Sequence, residues 1–378
     1  MSKKVILFSR DPGGTNTVAP LYEKLIEKGY CVKLYGKDVA LNKYSQYGLN
    51  GIDINKKLNR IAQMDLYEFL LKESPDFLIT GTSADDFTEK YLWECAKKLG
   101  IASFAILDQW VNYGVRFSKF SVNELKEYEK KKEHIFLPSK ILVMDNYAKE
   151  QMVKEGIHED KILVSGHPYF DYLIKKKEAI DEKVVKNFRE SIGIKEDYYI
   201  ITYASEPISK TYNENDNSEH FWGYTERTIF KEFIDVLNQV APKCRKKIKL
   251  IIRLHPKENE NNYNDLIDNI HNNISVLIDK KLDGFKLMCA SNLICGMSSM
   301  FLIESAILEK SIISIQIGLS RKNPFILDKI GIVKSILEKK ELEEIIQRVI
   351  LEDEIEKCKF QIQRGAINNI IRFMEEVI

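Results

Sequence analysis

Short apolar runs alternate along the chain with longer segments whose apolar residues recur every three or four positions. The first run, Val5–Ser9, stops at Asp11-Pro12-Gly13-Gly14-Thr15-Asn16. Val18, Leu21, Tyr22, Leu25 and Ile26 then trace one face of a helix that Gly29 closes, and Tyr30–Tyr35 follows as a second strand. Strand, glycine turn, helix, strand is a βαβ unit, so the pattern predicts a parallel sheet. It continues with a strand Phe77–Thr80, a helix opened by Thr82-Ser83 and ended by Gly100, and a strand Ser103–Leu107 that delivers Asp108-Gln109-Trp110. Two short buried strands, Ile141–Met144 and Ile162–Val164, complete the series.

Between Asp171 and Glu190 the composition turns charged, which reads as a helix and linker leaving a first domain. A second series follows: strands Tyr198–Ala204, Lys249–Leu254, Ile274–Ile278, Asn292–Cys295 and Ile312–Ile315, with helices Thr225–Val240, Leu282–Cys289 and Met300–Leu308 among them. Thr211–Gly223 and Lys257–Asn273 are polar and read as exposed loops. The expected class is therefore α/β, with two Rossmann-like domains of parallel sheet facing a central cleft. Residues 1–172 form the first domain, 173–352 the second, and 353–378 a terminal helix returning to the first. In such sheets ligands bind at the carboxyl ends of the strands.

Composition narrows the class. The 378 residues are 44% hydrophobic and 30% charged, ordinary for a globular protein. Lys+Arg number 57 against 56 Asp+Glu, a net charge of +1, which argues against a nucleic-acid binder working through bulk charge. The six cysteines form no CxxC pair and no metal-like cluster with histidine, so a reducing cytoplasm is the expected home. The N-terminal apolar stretch is too short for a signal peptide. The longest uncharged stretch, Leu287–Ile303, falls short of the ~20 apolar residues of a membrane span, leaving at most a peripheral association with a membrane.

Six segments at strand ends carry candidate chemistry. Asp11, Gly13, Gly14 and Asn16 lie in a loop whose glycines let backbone N–H groups approach an anion or a sugar, or simply make a tight turn. Asp108 is either a general base tuned by partial burial or an Asx turn. Arg253-Leu254-His255-Pro256 places an imidazole at a strand mouth, where proline ends the ladder and His255 can donate to a phosphate or protonate a leaving group. Gly296-Met297-Ser298-Ser299 opens a helix carrying Glu304, which suits an anion at the N–H groups with a carboxylate near ribose hydroxyls, and suits plain N-capping equally. Ser205 and Glu206 end the first strand of the second series. His167 and Asp171 lie at the turn between the domains, where they either fix the crossover or touch substrate.

With Asp108 for a short acidic motif, His255-Pro256, and Ser298-Ser299 in that order, the chain resembles GT-B glycosyltransferases, and among them the bacterial sialyltransferases and related nonulosonate or Kdo transferases that use CMP-sugars. The acidic motif departs from that group's pattern of two acidic residues and a glycine, since Gln109-Trp110 follow Asp108. CDP-glycerol transferases and UDP-GlcNAc 2-epimerases share a similar second domain, and Gly166-His167-Pro168-Tyr169-Phe170-Asp171 resembles the interdomain segment of this wider class. The resemblance implies an inverting transfer from a nucleotide-sugar donor to a glycan, glycolipid or glycoprotein, with no metal and no other cofactor. Asp108 would be the base and His255 the partner of the leaving phosphate. Ser298, Ser299, Gly296, Glu304, Pro256, Arg253, Ser205 and Glu206 would hold the donor. The alternatives it leaves open are a UDP-sugar epimerase or hydrolase, a CDP-glycerol-type glycerophosphotransferase, and a non-catalytic nucleotide-sugar binder.

Overall fold

A computed structural model describes residues 2–58, 60–194, 197–212, 214, 221–352 and 357–376. Most of the polar stretch Thr211–Gly223, and residues 353–356 at the start of the expected terminal segment, lie outside the described residues. The chain forms two compact units, one of Met1–Tyr172 with Ile362–Ile378, the other of Leu173–Gln361.

Unit 1 is built on a parallel sheet of β1 (Lys4–Ser9), β2 (Cys31–Gly36), β3 (Ile52–Asp53), β4 (Phe77–Thr80), β5 (Ala102–Ile106), β6 (Lys140–Val143) and β7 (Ile162–Val164), in the order β3-β2-β1-β4-β5-β6-β7. Its central strands are buried on both faces, as a sheet covered by helices on each side requires. The terminal helix Ala366–Glu376 belongs to this unit. Its Ile370, Ile371 and Met374 join Val5, Leu7, Leu21 and Leu25 in one core.

The first glycine segment departs from the expected loop. Pro12–Val18 is already helical, with Pro12 in the first turn, where its fixed φ suits the helix and its missing N–H leaves no donor unpaired. Ser83 does not open a helix either. Its hydroxyl accepts from the amides of Asp85 and Asp86, and the helix begins only at Thr88, whose N–H donates to Asp86. The helices Val39–Gln46 and Gln63–Glu73, between β2 and β4, have no counterpart in the sequence reading.

Unit 2 carries β8 (Tyr198–Ala204), β9 (Lys247–Arg253), β10 (Ile274–Asp279), β11 (Leu293–Gly296) and β12 (Ser311–Ser314), all parallel, in the order β10-β9-β8-β11-β12. Its long helix Glu226–Val240 starts at Thr225, whose hydroxyl accepts from the Thr228 amide, and it buries Ile229, Phe230, Phe233 and Leu237 against the sheet. Both units thus have Rossmann order, with the chain reversing its direction of growth between β1 and β4 and between β8 and β11. Among the described residues no helix is long and apolar enough to cross a membrane.

Candidate functional site

The register of unit 2 aligns its strand ends in a single row, Asp279–Arg253–Ala204–Gly296–Ser314, from β10 across to β12. His255, Glu206 and Ser298 each stand two residues beyond this row on three adjacent strands, β9, β8 and β11. At a strand spacing of about 4.8 Å, His255 and Ser298 flank Glu206 on strands about 10 Å apart. The Glu206–Ser298 pair sits at the switch point of the sheet, the place where ligands of such sheets bind. Gly296 permits the close approach there, since a Cβ would meet the Ala204 carbonyl oxygen at 2.7 Å.

Glu206 occupies the position that an anion was expected to take. Its Oε2 accepts from the Ser298 N–H at 2.6 Å and its Oε1 from the Ser298 hydroxyl at 3.2 Å, ahead of the helix Met300–Ile307. Burial pushes its carboxyl up to about 7 against the pull of these hydrogen bonds, with Glu258 adding repulsion. The Ser299 Oγ is buried and has no hydrogen-bond partner among the described residues. Glu304 lies half-buried on the same helix.

His255 is half-buried at the end of β9. Its Nδ1 accepts from the Lys257 N–H at 3.1 Å, so its ring proton is assigned to Nε2. Burial, with Lys257 and Lys280 nearby, holds the imidazole below its ordinary range, and it is neutral at pH 7. Pro256 breaks the ladder, and Glu258 closes the turn by accepting from the His255 N–H at 2.7 Å.

Two residues expected to hold a donor are engaged elsewhere. Arg253 is ion-paired with Asp279, its register partner on β10, which neutralises its guanidinium within the strand-end row. The Ser205 hydroxyl is buried, donates to Glu258 at 2.6 Å and bonds the Tyr263 hydroxyl, so it braces the His255 turn from beneath.

In unit 1 the structure brings Asp108 and the glycine segment together. A Cβ at Gly13 would overlap the Asp108 Oδ2, and Gly14 packs its backbone against Gly81 between β1 and β4. Asp108 is 5% exposed, and its Oδ1 is ion-paired with Arg116 at 2.9 Å. Arg116 also donates to the Thr82 carbonyl at 2.8 Å and the Asn112 carbonyl at 3.1 Å. The carboxylate read as a base is therefore one half of a buried ion pair. Asp11 pairs with Arg10, and Asn16 accepts from the Tyr47 hydroxyl at 2.9 Å. His167, 3% exposed, stacks on Phe170, and its Nε2 lies 3.2 Å from the Asp108 carbonyl. Burial holds it down to about 4, so it is neutral, and its Nδ1 is buried with no hydrogen-bond partner among the described residues. Asp171 accepts from the Gly365 N–H at 3.0 Å and ties the terminal segment down.

The sequence reading missed a second acidic group. Glu89, 1% exposed, lies in line with Leu92, Trp93 and Ala96, the buried stripe of the helix Thr88–Leu99. A carboxylate in step with an apolar stripe was the available signal. Burial and the nearby Asp11 and Asp86 push Glu89 up to about 8. The unfolded chain would lose this proton near 4.5 and the folded one only near 8, so stability falls as pH rises through that window. Glu89→Gln removes the penalty. It is expected to stabilise the protein by on the order of 2 kcal/mol at pH 7 and to flatten the pH dependence of urea unfolding between pH 5 and 8. An unchanged pH profile would show that Glu89 ionises normally.

A sequence profile of the CDP-glycerol:poly(glycerophosphate) glycerophosphotransferase family matches residues 117–367, which takes in all of unit 2. A search of curated proteins finds no match. Among solved structures, the UDP-GlcNAc 2-epimerase of Methanocaldococcus jannaschii aligns with a TM-score of 0.68 at 17% identity, covering 99% of each chain. That of Neisseria meningitidis, bound to UDP-GlcNAc, aligns with a TM-score of 0.65 at 16% identity, covering 99% of this chain and 100% of its own. A glycosyltransferase of Rickettsia africae aligns with a TM-score of 0.58 at 14% identity, over 98% of this chain and 94% of its own. At these identities the structures establish the GT-B type of fold. The profile, which covers more than half of the chain and all of unit 2, establishes more: this chain belongs to the CDP-glycerol:poly(glycerophosphate) glycerophosphotransferase family.

Proposed function

We propose that the protein transfers a glycerophosphoryl or closely related alcohol-phosphate group from a CDP-activated donor to a hydroxyl of a glycan or phosphodiester polymer. The observation that carries this reading is the family match over the whole of unit 2, the unit that holds the His255, Glu206 and Ser298 row. It moves the donor from the CMP-sugar of the first resemblance to the CDP-alcohol that stood as an alternative.

In this reaction an acceptor oxygen bonds to the β-phosphorus, and the bridging P–O bond to the α-phosphate breaks. CMP leaves with the bonding electrons, and the hydroxyl proton passes to a base or to solvent. Developing charge on the departing phosphate is met by fixed donors. The His255 Nε2–H supplies one. The helix Met300–Ile307 offers its N-terminal dipole, and the unpartnered Ser299 hydroxyl a further donor. Glu304, on the same helix, would meet the ribose hydroxyls. Lys257 and Lys280 add positive field around the imidazole.

The test is release of CMP from CDP-glycerol with formation of a new phosphodiester on an acceptor, run beside UDP-GlcNAc and a CMP-nonulosonate. Turnover of either comparison donor with none of CDP-glycerol would overturn the assignment. Because these side chains meet the leaving charge, CMP release is expected to persist after EDTA treatment. A loss restored by added Mg²⁺ would place a cation in the site.

A further inference from the structure

Glu206 presents a conflict that the donor reading must resolve. Its carboxylate already takes the N–H and hydroxyl of Ser298 at the switch point. A diphosphate arriving there brings two negative charges against a third that is half-buried in the same place. Like charges sharing a desolvated site cannot all stay ionised, and the group able to take a proton does so. A diphosphate with both ends esterified does not titrate near neutrality, so the proton goes to the protein.

Building on the reading above, we infer that Glu206 is a donor-binding residue that acts as a neutral carboxylic acid, taking up a proton when the diphosphate binds and donating it in a hydrogen bond to a phosphate oxygen. One Glu206 oxygen keeps the Ser298 N–H while the protonated oxygen turns to the ligand. Fixed donors and this O–H then share the phosphate.

The groups facing Glu206 favour the same outcome. Ser298 and Ser299 face it from the turn before the helix Met300–Ile307, and Glu258 acts on it from the turn after β9 as a further negative charge. Tyr203 on β8, Tyr212 in the helix Ile208–Tyr212 and Tyr224 ahead of the helix Glu226–Val240 also interact with it. Burial holds these three phenols above their ordinary value, so they are neutral. Burial pushes the Glu206 carboxyl up to about 7, within reach of the proton that a bound diphosphate would favour.

The experiment is calorimetric titration of the full-length protein with CDP-glycerol at pH 7.5 in HEPES and in Tris, whose ionisation heats differ. Between about half and one proton is expected to be taken up per CDP-glycerol bound. The dissociation constant is expected to rise up to about tenfold per pH unit above 7.5. Glu206→Gln keeps an acceptor for Ser298 and a donor for phosphate. It is expected to bind CDP-glycerol with a flat pH profile and no buffer-dependent heat. Binding without proton uptake overturns the inference and leaves the donor reading in place. Uptake that survives Glu206→Gln but vanishes in His255→Asn also overturns it, by assigning the proton to the imidazole. Absence of any CDP-glycerol binding by the folded wild-type protein overturns both.

Discussion

Replacing His255 with alanine is expected to lower CMP release from CDP-glycerol by about 10²–10³-fold, the scale for removing one fixed donor to a developing anion. The protein should keep its unfolding midpoint within the small shift of a surface substitution. The imidazole is half-buried at a strand mouth, and its Nδ1 accepts from the Lys257 N–H. The turn itself is held by other groups, Glu258 on the His255 amide and Ser205 with Tyr263 on Glu258, none of which needs the ring. Truncation therefore removes chemistry and leaves the scaffold. His255→Gln, which retains an amide N–H donor, should recover part of the rate. Steady-state CMP release and a urea melt on the same preparations decide the matter. A His255→Ala enzyme turning over within a few-fold of wild type would move the donor away from the end of β9.

The second large effect concerns stability. Arg116→Ala is expected to destabilise the protein by about 3–5 kcal/mol, the range for removing one partner of a buried ion pair. Asp108, whose carboxyl burial already raises above its ordinary range, would lose the cation that favours its ionised form, with its other oxygen packed against Gly13. The Thr82 and Asn112 carbonyls would lose a donor in the same step. Asp108→Asn in the Arg116→Ala background should restore part of the loss, since the group left buried is then neutral and of the same shape. Urea denaturation of the two single variants and the double variant measures the coupling. A loss below about 1 kcal/mol for Arg116→Ala would show that Asp108 does not depend on the pair, and would return it to candidacy as a base.

Much of the architecture is written in periodicity. All strands but β3 follow from apolar runs bounded by turn residues, and their parallel pairing follows from the helices between them; β3, two residues at the sheet edge, has no such run. The errors have local causes. Pro12-Gly13-Gly14 reads as a turn by composition, yet it is helical, because a proline in a first turn is preorganised and Gly14 packs on Gly81 from a different βα step. Ser83 is a good cap by residue type, yet the helix starts only at Thr88 behind Phe87, which offers no capping side chain, and residue type does not predict that start. Glu89 was legible in principle, since it falls in step with Leu92, Trp93 and Ala96, but the sequence reading did not single it out.

By itself the sequence determined the class of fold, the number of α/β units, and the strand ends at which His255, Glu206 and Ser298 stand. These depend on spacing along one chain, and spacing is what periodicity records. Only the tertiary structure decided which polar group meets which: Glu206 with the Ser298 amide, Arg253 with Asp279, Asp108 with Arg116. Those pairings join residues from different segments, and they are set by register and burial. A side chain acquires its charge state and its free hydrogen-bonding capacity only when the strands beside it are in place.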